Sequence, residues 1–208
     1  MLRHLPIRDP QPDAGRFVDI LMGRRTGPPP LVEYIVDTTV LKPIVTELLG
    51  REWVGEPSGP HLMKAWLDNY IAFWLALGYD FVRLEIGLPF EERRILHDDV
   101  VDHSNHQRAW NDQHQGIITS WEDFERYEWP SLEDVDLFPL DYVNENLPEG
   151  MGLVTCHAAG VFEHVSQLMS IETLCIAACE QPDLVAAVFD KVGTLLLAYY
   201  ERLFELDR

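Results

Sequence analysis

Asp80-Phe-Val-Arg-Leu-Glu-Ile86 is the stretch whose reading decides the fold class. It is short, apolar and partly β-branched, which predicts a buried strand. Immediately before it, residues 61–77 place Met63, Trp66, Leu67, Tyr70, Ile71 and Trp74 on one helical face, with Pro60 at the start and Gly78 at the end. A strand behind a helix, with another apolar run upstream, spells a β-α-β order, and such a crossover favours parallel pairing.

The upstream run is Leu31-Val-Glu-Tyr-Ile-Val36, which lies between three prolines and Asp37-Thr-Thr and predicts strand one. An amphipathic helix over 14–24 precedes it, with Phe17, Ile20 and Leu21 on one face and Asp13 as its cap. A helix over 39–49 follows it. From Gly87 to Gln115 the chain is polar and aperiodic, which predicts a long loop. Ser120 with Glu122 and Asp123, then Ser131 with Glu133 and Asp134, mark the starts of two short helices separated by Pro130. Met151-Gly-Leu-Val-Thr-Cys-His157 predicts strand three, and Ala158-Ala159-Gly160 a small-residue turn suited to close backbone approach. Helices over 162–180 and 183–205 complete the pattern, the last with Val185, Val188, Phe189, Val192, Leu196, Tyr199 and Leu203 on its apolar face. No internal repeat or composition break divides the chain, so residues 1–208 read as one unit.

Charge narrows the partners. Asp plus Glu number 35 against 16 Lys plus Arg, a formal net charge of -19, and such a surface repels phosphate backbones and anionic membranes. Nucleic acid and membrane are therefore excluded. No long apolar run and no leader with a cleavage site occur, so the expectation is a soluble, cytoplasmic protein. Three cysteines cannot all pair, and Cys175 and Cys179, one helical turn apart in an apolar stretch, are expected as buried, reduced thiols. Glycine-rich phosphate loops, a G-x-S-x-G elbow and C-x-x-C pairs are absent, which leaves nucleotide binding and serine hydrolysis without support.

Parallel α/β folds bind ligands outside the C-terminal ends of their strands. That rule points to Glu33 and Asp37 at strand one, Glu85 at strand two, and His157, Glu163 and His164 after strand three. Glu85, Glu33 and His157 are the catalytic candidates, with Tyr34, Asp37, Ala159, Gly160, Glu163 and His164 as substrate-binding candidates. Carboxylates crowded in a cavity gain raised pKa values suited to acid/base work and can orient polar N–H groups. The competing reading of the two glutamates is a salt bridge to Arg83 or Lys42. Cys156 and His157 are strand neighbours facing opposite ways, which argues against a shared metal ion. His97, His103, His106 and His114 are metal-ligating types without the spacing of a known site, so a solvated loop or lid is expected and no metal ligand is assigned. Trp66 and Trp74 are read as core.

Five segments carry a family resemblance: Arg16-Phe-Val-Asp-Ile-Leu-Met-Gly-Arg-Arg25 before Pro30-Leu-Val-Glu-Tyr34; Gly116-Ile-Ile-Thr-Ser-Trp-Glu-Asp-Phe-Glu-Arg-Tyr-Glu-Trp-Pro130; Gly152-Leu-Val through Gly160; and Glu180-Gln-Pro-Asp-Leu184. In this order they resemble the N-terminal half of the uroporphyrinogen decarboxylase superfamily, which holds decarboxylases and methyltransferases that move methyl groups between corrinoid proteins and thiols such as coenzyme M. The resemblance implies an α/β fold that is a partial (β/α)8 TIM-type barrel, roughly its first three strands with their helices, because a closed barrel needs about 250 residues. It matches Glu85 to the decarboxylases' second-strand aspartate and places their tyrosine after the third strand near Ser166. The arginine-rich segment that binds substrate carboxylates in those enzymes is replaced here by Glu33-Tyr34 and Asp37-Thr-Thr, so the chain is nearer to the methyltransferase-like branch.

The resemblance therefore implies methyl transfer with a corrinoid protein or small-molecule partner once the barrel is complete. It implies no cofactor within this chain, and zinc in the full-length protein through a His-x-Cys pair and a later Cys of the C-terminal half. Two alternatives stand beside it: porphyrinogen decarboxylation, and an inactive fragment or interaction module. An unclosed barrel leaves an open strand edge, so a homo-oligomer or pairing with a C-terminal half is expected.

Overall fold

The computed structural model describes residues 9–33, 35–55, 59–98 and 107–205. In chain order the elements are α1 (Ala14–Leu21), α2 (Thr38–Pro43) running into a π-helical turn (Ile44–Leu48), α3 (Pro60–Ala76), β1 (Phe81–Glu85), β2 (Arg94–Asp98), β3 (Gln107–Asn111), α4 (Trp121–Arg126), a 3-10 turn (Leu132–Asp134), α5 (Phe138–Asn146), β4 (Gly152–Cys156), α6 (Val161–Met169), α7 (Ile171–Glu180) and α8 (Pro182–Glu205). The class is α/β, rich in helix and with a small parallel sheet. Among the described residues no helix is long and apolar enough to cross a membrane. The chain forms two compact units, each made of two stretches: one runs to Glu85 and resumes over Asp136–Cys156, and the other comprises Ile86–Val135 and the chain from His157 onward.

The first unit is organised by β1 and β4, which pair in parallel from Phe81 opposite Gly152 to Glu85 opposite Cys156. Helix α3 forms between Pro60 at its first position and Leu77, and it buries Leu67, Phe73 and Trp74 completely or nearly so. Helix α5 contributes Leu140 and Val143 to the core, and its Tyr142 hydroxyl donates to Asp68 at 2.9 Å. Helix α1 is tied to the sheet through its cap. The Asp13 carboxylate accepts the Arg16 N–H at 2.8 Å, while its own N–H donates to the Asp80 carboxylate at 2.9 Å. Ala14 N–H reaches Gly150 O at 2.9 Å, and Phe17 packs on Phe81 with ring centroids 4.6 Å apart.

Three sequence expectations are corrected. The run 31–36, read as strand one, is not a strand in its described part, and Leu31, Val32 and Ile35 are 53%, 64% and 66% exposed. β-branched composition favours a strand only where a neighbour supplies the ladder, and β1 takes β4 as its parallel partner. The polar stretch 87–115, read as a loop, carries the antiparallel pair β2–β3, from Arg94 opposite Asn111 to Asp98 opposite Gln107. Its period-two signal is hidden because Ile95 and Leu96 are adjacent apolar residues in a polar stretch and, with Trp110, stay exposed. The helix expected over 162–180 is broken at Ser170, whose φ of 64° ends α6 while its hydroxyl accepts the Thr173 N–H and starts α7.

In the second unit α6, α7 and α8 pack around Val165, Leu168, Met169, Leu174, Leu184, Val188, Val192 and Leu196, with Ile118 and Tyr127 beneath. α8 buries Leu184, Val188, Val192, Leu196 and Tyr199, a stripe with nearly uniform four-residue spacing. The capping patterns expected at Ser120 and Ser131 both form: Ser120 accepts the Asp123 N–H, and Ser131 and Asp134 make a reciprocal capping box. The α6–α7 break is sealed from below by Gly116, because Ile117 and Ile118 both donate to Leu168 O at 2.7 and 3.0 Å. A Cβ on Gly116 would lie 2.2 Å from the Met169 carbonyl carbon, and backbone cannot yield as a side chain does. Gly116→Ala is expected to lower the urea-unfolding free energy by about 1–3 kcal/mol, the scale of overpacking; an unchanged midpoint would show that this contact is not made.

Candidate functional site

The residues singled out by strand-end reasoning separate into two clusters and several isolated positions. In the first unit Glu85 ends β1 directly opposite Cys156 at the end of β4. Residues two apart on a strand share a face, so Arg83 and Glu85 point the same way and form an ion pair, with Arg83 only 7% exposed. The Cys156 Sγ lies 3.6 Å from an Arg83 guanidinium nitrogen and 3.6 Å from Glu85 Oε1. Of the two readings of Glu85, the ion pair with Arg83 is thus realised, and the thiol is an added member. Removing one partner from so buried a pair costs about 3–5 kcal/mol, because the other charge is stranded. Tyr70 of α3 senses this cluster. Burial pushes its phenol above the ordinary value, Trp74 and the charge of Arg83 oppose that rise, and the charge of Glu85 adds to it.

The cluster thus sets a thiol within sulfur hydrogen-bonding distance of both a carboxylate and a guanidinium at the end of the parallel pair.

The second cluster brings His157 and His164 together in the second unit, each 5% exposed. His157 Nε2 accepts the Leu88 N–H at 2.9 Å. Its Nδ1 lies 3.3 Å from the Ala159 N–H, 3.2 Å from Ala159 O and 3.3 Å from His164 Nε2. Tyr199 stands edge-on to the His157 ring at 5.1 Å, and its hydroxyl donates to Ile86 O. Phe90 lies 4.4 Å from the His164 ring. Gly87 is required here: a Cβ would sit 2.7 Å from His157 Nε2.

His164 Nδ1 makes no hydrogen bond and lies 3.9 Å from Glu92 Oε1. Proximity suggests an ion pair, but burial, and secondarily His157, pushes the His164 pKa down to about 4. At neutral pH the ring is uncharged, so desolvation outweighs the distant carboxylate. Glu92 instead pairs with Arg94 at 3.0 Å.

The other candidates are placed apart from these clusters. Glu33 is exposed in the extended segment, where its charge adds to burial in raising the Tyr79 pKa. Asp37 caps α2, accepting from Thr39 N–H and hydroxyl at 2.9 and 2.7 Å. Tyr34 lies outside the described residues, as do His103 and His106. Gly160 precedes α6, and Glu163 is exposed in its first turn. His114 is exposed and hydrogen-bonds Glu172 at 2.7 Å, which raises its pKa. Cys175 and Cys179, expected as buried thiols, are exposed, because α7 turns Leu174 and Ala177 to the core instead. Trp74 is fully buried core, and Trp66 stacks on Tyr70.

Among the described residues no group of three or more His, Cys, Asp or Glu is arranged to hold a metal ion. Zinc does not fit these clusters: His157 Nε2 is occupied by Leu88, His164 Nδ1 faces away from His157, and Cys156 is engaged by Arg83 and Glu85. Sequence reasoning named Arg83 only as a salt-bridge alternative for the glutamates, and it missed Glu92, Phe90 and Tyr199 as neighbours of the histidines. The alternation of Arg83 and Glu85 was the available signal for the first.

His164 sets a pH dependence whose sign follows from linkage. Its folded pKa of about 4 lies below the 6.5 of an unperturbed histidine, so the unfolded chain binds the proton first as pH falls. The contribution is fully present above about pH 6.5, declines between about 6.5 and 4, and is lost below that, on the order of 3 kcal/mol in all. Urea titrations of the wild type and His164→Gln across this window check it. The variant should have a flatter slope, and identical slopes would contradict a neutral buried His164.

No family model, no curated protein and no solved structure matches this chain, so its functional reading rests on these geometries and on the sequence resemblance.

Proposed function

We propose that this chain supplies the first strands of a uroporphyrinogen decarboxylase-like (β/α)8 barrel and acts in methyl transfer from a corrinoid protein to a small thiol acceptor. One observation carries the reading: the parallel register that sets Glu85 and Cys156 side by side at the C-terminal ends of β1 and β4, with Arg83 against both. Ligands of parallel α/β folds bind at this end. Glu85 is the group that takes the proton of the accepting thiol while the sulfur–carbon bond forms and the methyl donor's bond breaks. Arg83 holds the carboxylate in place and offsets the thiolate charge. Partner contacts would come from a corrinoid protein and from a second half of the barrel, and any zinc would be held by residues outside the two clusters.

Porphyrinogen decarboxylation would need free cations for acetate and propionate groups. The arginine beside Glu85 is already committed to it, and the net charge of -19 opposes a poly-carboxylate. Methyl transfer is therefore the better fit.

The test uses the protein isolated from its source, with its intact mass measured and then assayed anaerobically with methylcobalamin and 2-mercaptoethanesulfonate. The expectation is a mass well above 24.0 kDa, thiol methylation, and a loss of about 100-fold in rate for Glu85→Gln, which keeps an acceptor for Arg83. Carboxylate loss from uroporphyrinogen without thiol methylation would replace this reading with decarboxylation. Neither activity would overturn it.

A further inference from the structure

We propose that Cys175 and Cys179 on α7 form a two-sulfur site for a soft, thiophilic metal ion of the cuprous class. Both thiols are exposed, while Leu174 and Ala177 of the same helix are buried, so the two sulfurs share the outward face. Residues four apart on a helix have Cβ atoms about 5–6 Å apart, with side chains leaning the same way. A disulfide needs Cβ atoms about 3.5–4.5 Å apart, so an intact α7 cannot close one between them. The pair stays a dithiol. That spacing suits two thiolates reaching one ion from opposite sides, a coordination that soft d10 ions accept, and thiolates select cuprous copper over harder metals.

The surroundings are compatible with a cation. Glu172, three residues before Cys175 and exposed, lies on the same helical face and takes His114 Nδ1 at 2.7 Å. The chain's net charge of -19 raises the local concentration of cations. Binding is a ligand exchange: two S–H bonds give their protons to solvent, two sulfur–metal bonds form, and the ion enters and remains as the monovalent species. The inference stands independently of methyl transfer.

The full chain, reduced and under anaerobic conditions, would be titrated with cuprous ion in competition with the chromogenic chelator bicinchoninate. The expectation is retention of about one ion per chain, with Cys175→Ser and Cys179→Ser each weakening retention about 100-fold, the scale of a lost chelate partner. Both positions are exposed, and circular dichroism of each variant confirms that the helices persist. Retention unaffected by either substitution, which would locate the ion at Cys156 or elsewhere, overturns the proposal. So does an ion bridging two chains, seen as a metal-dependent dimer, or an absence of retention by the wild type.

Discussion

The parallel ladder between β1 and β4 is the interaction from which the first unit is built. It sets Phe81 against Gly152 at one end, where α1 docks its Phe17, and Glu85 against Cys156 at the other. Two parallel strands cannot be joined by a tight turn, so a long connection is obligatory. Part of that connection, α5, returns to bury Leu140 and Val143 in the same unit as α3. Polar chemistry can then collect at one end of the ladder while the apolar side chains of β1 and α3 fill the core.

Arg83 shows how a charge is accommodated in such a strand. A guanidinium 7% exposed would be costly alone, and the shared face of Arg83 and Glu85 answers it with a carboxylate two residues on. Cys156 arrives from the neighbouring strand by register, without any local sequence relation to Glu85. The site's composition is therefore a consequence of strand pairing.

In the second unit desolvation is decisive. His157 and His164 are packed among Phe90 and Tyr199, and the Leu88 N–H donates to His157 Nε2 and holds the ring in place. Glu92 is near enough to attract a charged ring, yet burial keeps His164 neutral. The absence of a side chain at Gly87 lets the backbone run against His157.

By itself the sequence determined the local features: the strand at Asp80–Ile86, the strand at Met151–His157, the helices expected over 61–77 and 183–205, and the caps at Asp13, Ser120 and Ser131. These are set by periodicity and by side chain to backbone bonds within a few residues. The choice between an ion pair and a free carboxylate at Glu85 was visible in the alternation of Arg83 and Glu85, although not settled by it. Tertiary structure alone decided which apolar run pairs, leaving Leu31–Val36 without a ladder in its described part although it is more apolar and more β-branched than β1. It alone brought Cys156 to Glu85 and His164 to His157, and turned Cys175 and Cys179 outward. The physical reason is that pairing, burial and charge state depend on neighbours distant in the chain, which no local pattern encodes.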